Sequence, residues 1–555
     1  MENNEKDHIQ LPDNAFTELK PGEEYQPVME PGRSYPEVNL WSVTWGIIMA
    51  MLFSAAAAYL GLKVGQVFEA AIPIAIIAVG ASTLAKRKNP LGENVIIQSI
   101  GACSGTIVAG AIFTLPAIYI LQAKYPEMSV SFVKVFMSSL LGGILGILFM
   151  IPFRKYFVKD MHGKYPFPEA TATTQVLVSG AKGGSQAKPL LIAGLIGGLY
   201  DFIVATVYWW NECFTTRVVE WGTVAADKAK LVFKVNTGAA VLGLGYIIGL
   251  KYATIITAGS CLVWFLVVPL VGSLADTIDP AAMASLLGVT RADILADPGS
   301  IFTAENLFAF IGKPLGIGGI AMAGIIGIVK QSKIIRQAVG LAVSELGGGN
   351  KTQAAATERT QRDLTMKRIL TILIATLISV FVFFHFGLLD GWVQSVTAIL
   401  IVFVISFLFT TVAANAIAIV GTNPVSGMTL MTLILSSLVL VSVGLSGTTG
   451  MTAALVIGGV VCTALSTAGG FITDLKIGYW IGTTPAKQEA WKFLGTAVSA
   501  ATVAGVMIVL NRTYGFVGEG ALVAPQANAM AAVIQPLMEG GTTPWVLYFI
   551  GAVLA

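Results

Sequence analysis

Long apolar stretches constrain the fold of this chain more than any other feature of its sequence. A helix needs about 20 mostly apolar residues to cross the ~30 Å hydrocarbon core of a bilayer, and such stretches recur along most of the 555 residues. Only 12% of the residues are charged and the mean hydropathy is +0.77, whereas soluble domains carry roughly 25% charged residues. Because so few charges cannot cover a soluble protein of this size, the sequence predicts an all-α polytopic membrane protein.

About fourteen spans are predicted by this rule. They lie near 40–60, 66–85, 95–121, 132–157, 189–210, 237–250, 252–272, 308–329, 367–387, 393–418, 427–445, 451–470, 491–511 and from 543 onward. The last stretch is cut off at Ala555, so we expect the natural chain to continue. The tail 1–39 is acidic, with nine acidic and three basic side chains.

The basic loops predict the orientation. Lys and Arg are enriched in cytoplasmic loops, and basic clusters follow the second span (86–88) and the fourth span (154–159). The stretch 330–368 has eight basic and three acidic residues, whereas 273–306 has five acidic residues and one Arg. A cytoplasmic N-terminus puts all three basic loops inside and 273–306 outside, provided that the chain crosses twice between 237 and 272, turning at Lys251.

Two segments are too short to cross and too apolar to be ordinary linkers. FPEATATTQVLVSG at 167–180 and APQANAMAAVIQPLMEG at 524–540 are predicted as re-entrant hairpins. Irregular backbone at membrane depth survives only when it is buried in protein or lines a water-filled cavity. The two segments also resemble each other, since PEATA at 168–172 aligns with PQANA at 525–529. An inverted repeat of the kind found in many transporters and a chance match of Ala-rich sequence both explain this likeness.

No catalytic or cofactor motif is visible in the sequence. A nucleophile elbow, a P-loop and an HExxH motif are missing, so neither an enzyme nor ATP-driven transport by this chain is indicated. Four scattered cysteines and three histidines have no metal-ligand spacing, and we predict no metal or other cofactor. The nearly balanced charge, a net +3, does not indicate nucleic-acid binding. Transport would therefore be driven by an ion gradient.

Polar residues inside apolar spans are costly and often functional. Asp201, in LIAGLIGGLYDFIVATVYWW, is either a proton or amine site or a structural carboxylate. Glu93 and Gln98 open the third span, where Glu93 could instead complement a helix N-terminus. Asn415 precedes and Asn423 belongs to a Gly-Thr-Asn-Pro break at 421–424 that is either a ligand site or an ordinary turn. Asp474 and Lys476 could contact substrate or neutralise each other.

The two predicted hairpins supply the remaining candidates for a substrate or ion pathway. These are Glu169, Thr171 and Thr173 in the first segment, and Gln526 and Asn528 in the second. We hypothesise that either Asp201 or Glu169 takes up a coupling proton.

Several motifs in order resemble the oligopeptide transporter (OPT) superfamily. NPLGENVIIQSIG, then YPFPEATATTQVL, and later TDLKIGYWIGTTPAKQE match its pattern over the chain from about Leu19 onward. GTNPVSGMT and APQANAMA look like the bacterial branch in particular. The superfamily includes the yellow-stripe-like metal-chelate transporters of plants. Glu169 and Ala170 replace their Ser-Gly pair, so phytosiderophore specificity is not expected here.

The resemblance implies about sixteen helices in the full chain and proton-coupled import of oligopeptides or metal chelates. We therefore expect a secondary transporter of the bacterial cytoplasmic membrane, with a homodimer left open. Its partners would be the small-molecule substrate, the coupling proton and the lipid bilayer. A passive channel and an intramembrane enzyme acting on a lipid-linked substrate are the alternatives. Along the chain we predict the tail 1–39, a first transmembrane half 40–330, a basic linker 331–366 and a second half 367–555.

Overall fold

The computed structural model of the chain is built almost entirely of helices. It describes residues 11–555 except 66, 68, 182–186, 208, 212, 249, 276, 288–293, 295–296, 347–357, 422–424, 519–520 and 540–543. Within these residues the strands are β1 (Cys213–Thr215) and β2 (Lys234–Asn236), which pair antiparallel with Phe214 opposite Val235.

The α-helices are numbered in chain order. They are α1 Leu40–Val64, α2 Ala71–Leu84, α3 Leu91–Gly101, α4 Cys103–Thr114, α5 Pro116–Gln122, α6 Phe132–Met150, α7 Pro168–Ala181, α8 Ala187–Phe202, α9 Glu220–Lys228, α10 Ala239–Ile248, α11 Leu250–Cys261, α12 Val268–Gly272, α13 Pro280–Leu286, α14 Ala304–Leu307, α15 Lys313–Leu346, α16 Met366–Gly387, α17 Trp392–Val420, α18 Val425–Ser442, α19 Gly447–Ile481, α20 Pro485–Thr513, α21 Pro525–Glu539 and α22 Trp545–Leu554. Short π-helical turns cover Lys155–Asp160, Ile203–Val207, Leu262–Val267 and Phe308–Gly312, and 3-10 turns cover Ile151–Phe153, Thr216–Val218, Pro298–Phe302 and Arg359–Gln361.

The lengths of these helices confirm an all-α polytopic membrane protein. Among the described residues, 9 helices are long and apolar enough to cross a bilayer, and four shorter apolar helices accompany them. Helices α10 and α11 cover most of 239–261 on either side of residue 249, which lies outside the described residues. The two crossings predicted between 237 and 272, with a turn at Lys251, therefore stay a prediction.

The chain divides into two compact units. Unit 1 comprises 1–188 and 326–539, and unit 2 comprises 189–325 and 540–555. These units cut the chain differently from the two sequence halves, and that division into halves stays a prediction.

Helix α19 is the centre of unit 1. The most apolar 18-residue stretch of α19 is 100% buried, and α4, α6, α17 and α18 pack around the helix. Glycines allow the closest contacts, because a β-carbon at Gly142 would lie 2.4 Å from the carbonyl oxygen of Val460, and one at Gly146 would lie 2.3 Å from that of Ala464. This small-residue contact, repeated after four residues, brings two backbones together as in other membrane helix pairs.

The N-terminal segment 11–37 is folded onto the C-terminal end of α19. The last carbonyl groups of a helix have no partner within the helix. Here the Trp480 carbonyl oxygen accepts hydrogen bonds from the Tyr25 hydroxyl at 2.8 Å and from the backbone N–H of Val28 at 3.3 Å, and the Ile481 oxygen accepts from Met29 N at 2.7 Å. The segment therefore terminates α19 as a structural part of unit 1.

Unit 2 has its own apolar core. Buried side chains of the core come from the stretches 226–232 and 268–315, and the partly buried Leu547 packs against them. Two glycines let α15 and α22 touch, since a β-carbon at Gly318 would lie 1.9 Å from the Tyr548 oxygen and one at Gly551 would lie 1.9 Å from the Leu315 oxygen.

Candidate functional site: a buried charged cluster and two helix latches

A charged cluster lies at the centre of unit 1, where α3, α19 and α20 meet. Asp474 on α19 is 1% exposed, and its Oδ1 accepts a hydrogen bond of 2.7 Å from the side-chain amide of Gln98 on α3. Its Oδ2 forms an ion pair with Lys492 on α20. Gln98 and Asp474, two candidates 376 positions apart in the sequence, are thus in direct contact.

The ammonium of Lys492 has further contacts besides its ion pair with Asp474. It also donates to the Ser99 carbonyl oxygen at 2.9 Å and lies 5.7 Å from the centre of the Phe471 ring. One turn earlier on α20, Gln488 donates to the Asp474 carbonyl oxygen at 3.1 Å. An ion pair in a medium of low dielectric is strong, but either charge left alone there is costly. The cluster therefore requires both charges together.

Lys476 does not neutralise Asp474. Its ammonium donates to the Val158 carbonyl oxygen at 2.8 Å and lies 4.8 Å from the ring centre of Tyr479 and 4.9 Å from that of Trp480. Successive helical residues are turned by about 100°, so residues two positions apart point to opposite sides of α19. Of the two alternatives for Asp474 and Lys476, mutual neutralisation is therefore wrong, because each residue has a separate partner.

Glu169 lies close to this cluster in the first turn of α7. The residue is 5% exposed, and neither carboxylate oxygen has a hydrogen-bond partner among the described residues. Its carboxylate interacts electrostatically with Glu69, Asp474 and Lys492. Glu69 is beside α19, because a β-carbon at Gly470, one turn before Asp474, would lie 3.3 Å from its Oε2. Four ionisable side chains thus gather in one region of unit 1.

Phe167 and Pro168 dock the start of α7 on the end of α17, and we call this contact the first latch. The amide of Phe167 donates to the Ala418 carbonyl oxygen at 2.9 Å. Helix α17 then ends at Gly421 with φ 78°. A β-carbon at Gly421 would lie 2.5 Å from Cγ of Pro168, so both the backbone angle and the contact require glycine.

A second latch has the same construction and consists of Ala524 and Pro525 on the end of α1. The amide of Ala524 donates to the Leu62 carbonyl oxygen at 2.8 Å, and α1 ends at Gly65 with φ 79°. A β-carbon there would lie 2.9 Å from Cγ of Pro525. The two segments noted for their sequence likeness therefore dock in the same way. Each segment forms a single helix, of 14 residues in α7 and 15 in α21.

The other candidates of the two latch segments have mainly local contacts. Thr171 donates to the Pro166 carbonyl oxygen at 3.1 Å, and the Asn528 side chain donates to that of Val523 at 2.7 Å. Gln526 donates to the Gly65 oxygen at 3.3 Å. The buried Thr173 hydroxyl has no hydrogen-bond partner in the described part of the chain.

Glu93 is part of an anchor for α1 and lies outside the Asp474 cluster. Arg87 Nε donates to Glu93 Oε2 at 3.0 Å, and the Asn39 side chain donates to Oε1 at 2.5 Å. Asn39 is also the N-cap of α1, where it accepts from Ser42 N at 3.0 Å. This placement favours the structural interpretation of Glu93.

Asp201 belongs to unit 2. Its Oδ1 accepts a hydrogen bond of 2.7 Å from the backbone N–H of Ala239, the first residue of α10. A carboxylate in this position caps a helix N-terminus. Asn415 is half-buried on α17, and Asn423 lies outside the described residues.

Two ionisable residues of the site were missed by the sequence analysis. Glu69 and Lys492 both fall inside predicted spans, 66–85 and 491–511, so the rule that selected Asp201 would have selected them too. Lys492 stands second in its predicted span and resembles an interfacial lysine whose side chain reaches water. The structure instead extends α20 to Pro485 and buries Lys492 completely.

Comparisons with known proteins place this site in a family context. The family model described as "OPT oligopeptide transporter protein" matches residues 37–555, which include every residue of the cluster and of both latches. A protein of Haemophilus influenzae described as "Putative oligopeptide transporter" is 29% identical over 509 residues, which cover 86% of this chain and 75% of the relative.

Proposed function

The chain belongs to the oligopeptide transporter (OPT) family, as its motifs predicted, and from this premise we propose that it is a proton-coupled importer. The solutes would be oligopeptides or peptide-like molecules, including metal chelates of the siderophore type. We place it in a bacterial cytoplasmic membrane with its N-terminus in the cytoplasm, as the basic loops 86–88, 154–159 and 330–368 indicate. It would work as a secondary active transporter.

The buried charges of unit 1 support this proposal best. Asp474 and Lys492 are fully buried and paired, and Glu169 is buried beside them without a hydrogen bond from the described residues. Ionisable groups at such depth mark ion or substrate pathways in membrane proteins. A structural scaffold for lipid contact alone would be more stable with apolar side chains in their place. The cost of keeping them indicates a role in moving charge.

The energy available from a proton is sufficient for uptake. One charge that moves through ~100 mV gains about 2.3 kcal/mol, and a tenfold concentration ratio requires about 1.4 kcal/mol. One proton per solute therefore supports accumulation of roughly 40-fold.

Uptake into proteoliposomes tests the proposal directly. Purified protein would be reconstituted and offered a pool of short peptides and a set of ferric siderophores, with and without an imposed proton gradient. Accumulation of one class above equilibrium, abolished by a protonophore, is the expected result. Equilibration without accumulation would identify a passive channel, and movement of neither class would refute the proposed substrates.

Two variants connect the measurement to the site. Asp474→Asn leaves Lys492 buried without its counter-ion, and we expect uptake to fall at least tenfold. Glu127→Gln removes a carboxylate from an exposed loop position of the same unit and should leave uptake unchanged. Equal uptake by both variants would separate the cluster from transport.

A further inference from the structure

The two latches differ in one chemical respect. The residue after the proline is Glu169 in the first latch and Gln526 in the second. The Gln526 amide donates to the carbonyl oxygen of Gly65, the left-handed glycine that ends α1. The equivalent glycine in the first latch is Gly421. Glu169 has no donor hydrogen when its carboxylate is ionised, whereas a protonated carboxyl has one.

Both latches hold their entry residue in an unfavourable backbone conformation. Phe167 has φ 41° and Ala524 has φ 38°. A non-glycine residue in this region costs on the order of 1–3 kcal/mol and persists only where surrounding contacts impose it. The contacts on α17 and α1 described above are those that impose it here. Glu169 and Gln526 stand two residues after Phe167 and Ala524. A hydrogen bond gained or lost at either side chain therefore acts on a segment that is already strained.

The surroundings of Glu169 make its charge state decisive. Glu69 and Asp474 repel a second negative charge, and Lys492, the attracting group, already pairs with Asp474. A buried carboxylate that accepts no hydrogen bond loses its hydration without compensation.

The other helices packed against α7 bring little further charge. Helices α2 and α17 contain no ionisable side chain. Helix α3 brings Glu93, which is paired with Arg87, and α19 also brings Lys476, whose ammonium is 5.6 Å from the Phe167 ring. In the part of the chain that the structure describes, Lys492 is the cation whose charge acts on both Asp474 and Glu169.

We infer that Glu169 binds the coupling proton, and that its protonated carboxyl takes the place in the first latch that the Gln526 amide takes in the second. With the proton bound, both latches are neutral and both have a hydrogen-bond donor at the same position. When the proton leaves, the Glu169 carboxylate carries a charge and has only acceptors, so the two latches become unequal. The inference rests on the proposed function and names the proton site within it.

The variant Glu169→Gln imitates the protonated state permanently. We expect it to lose accumulation driven by a proton gradient, from tens-fold to equilibrium, because no proton can leave the first latch. Exchange of labelled for unlabelled solute at equal pH on both sides should still be measurable, and its pH dependence should become flat. Gln526→Glu is the matched change in the second latch, and it should add a new pH dependence while Glu169 is intact.

The outcomes separate this inference from the proposed function. If the wild type shows no accumulation under a gradient, the proposed function fails. If the wild type and Glu169→Gln accumulate solute equally, proton coupling stands and the assignment to Glu169 is overturned. Should Glu169→Gln not fold, Glu169→Asp keeps the carboxyl group on a shorter side chain. It should shift the pH at which exchange is half-maximal, and an unchanged profile would overturn the assignment.

Discussion

Replacement of Lys492 by Met gives the sharpest test of the charged cluster. The change keeps the length of the side chain and removes the ammonium that pairs with Asp474 and donates to the Ser99 oxygen. Asp474 then stays fully buried with the Gln98 amide on Oδ1 and no cation on Oδ2. Removal of one partner from a buried ion pair costs about 3–5 kcal/mol, and we expect that loss in the free energy of unfolding.

The double variant Asp474→Leu/Lys492→Met should recover most of this loss. With both charges gone, what remains is mainly the Gln98 amide without its acceptor, at about 1–3 kcal/mol for an unsatisfied buried group, and the Ser99 carbonyl oxygen without the ammonium. Unfolding would be measured by tryptophan fluorescence in micelles of increasing denaturing detergent, for the wild type, both single variants and the double variant. We expect a coupling energy of at least ~3 kcal/mol in this double-mutant cycle.

Additive effects in the cycle would refute the reasoning, because they would show that the two charges do not depend on each other. Lys487→Met on the same helix is the control. Lys487 is 42% exposed and lies 3.7 Å from Glu37, and such a partly exposed pair contributes about 0–1 kcal/mol. Transport should be lost in the single and the double variants of the cluster alike, so restored stability would not restore activity.

Three further predictions concern other parts of the chain. Burial lowers the pKa of His162, which contacts the Asn14 carbonyl oxygen at 2.9 Å. The contribution of neutral His162 to stability should be complete above the unfolded pKa near 6.5 and be lost as the pH falls toward the lower folded pKa. Proteolysis of segment 11–37 should therefore accelerate on acidification in the wild type, but not in His162→Gln. Gly482 has φ 94°, and a β-carbon there would lie 2.5 Å from the Met29 oxygen. Gly482→Ala should therefore weaken the docking of segment 11–37 by at least ~1 kcal/mol, which protease sensitivity of the segment at neutral pH would measure. Asp201→Asn should keep both the helix cap and the pH dependence of uptake, whereas Asp201→Ala should lower the free energy of unfolding by ~0.5–2 kcal/mol; uptake that loses its pH dependence in Asp201→Asn would return the proton site to unit 2.

The helical membrane class and the family could be read from the sequence. Apolar stretches predict spans because the bilayer imposes a length on every crossing helix independently of the others. The same rule selected Gln98 and Asp474, which do meet in the structure. One of the two alternatives that it left open, the pairing of Asp474 with Lys476, is wrong, because Lys476 is a neighbour in the chain and points to the other side of α19.

Contacts between distant segments were beyond the reach of the sequence. Lys492 became the partner of Asp474 through the rotation and depth of α20 against α19. The likeness of PEATA and PQANA could be seen in the sequence. It could not reveal that the first segment docks on α17 and the second on α1, each in the opposite part of the chain.

The sequence by itself therefore determined that this chain is a polytopic helical transporter of the OPT family, since hydropathy and motifs are local properties. The tertiary structure decided which buried charges neutralise each other and which carboxylate is left without a hydrogen bond from the described residues. The physical reason is that the energy of a buried charge depends on the groups within a few ångströms of it, and helix packing brings those groups from positions hundreds of residues away.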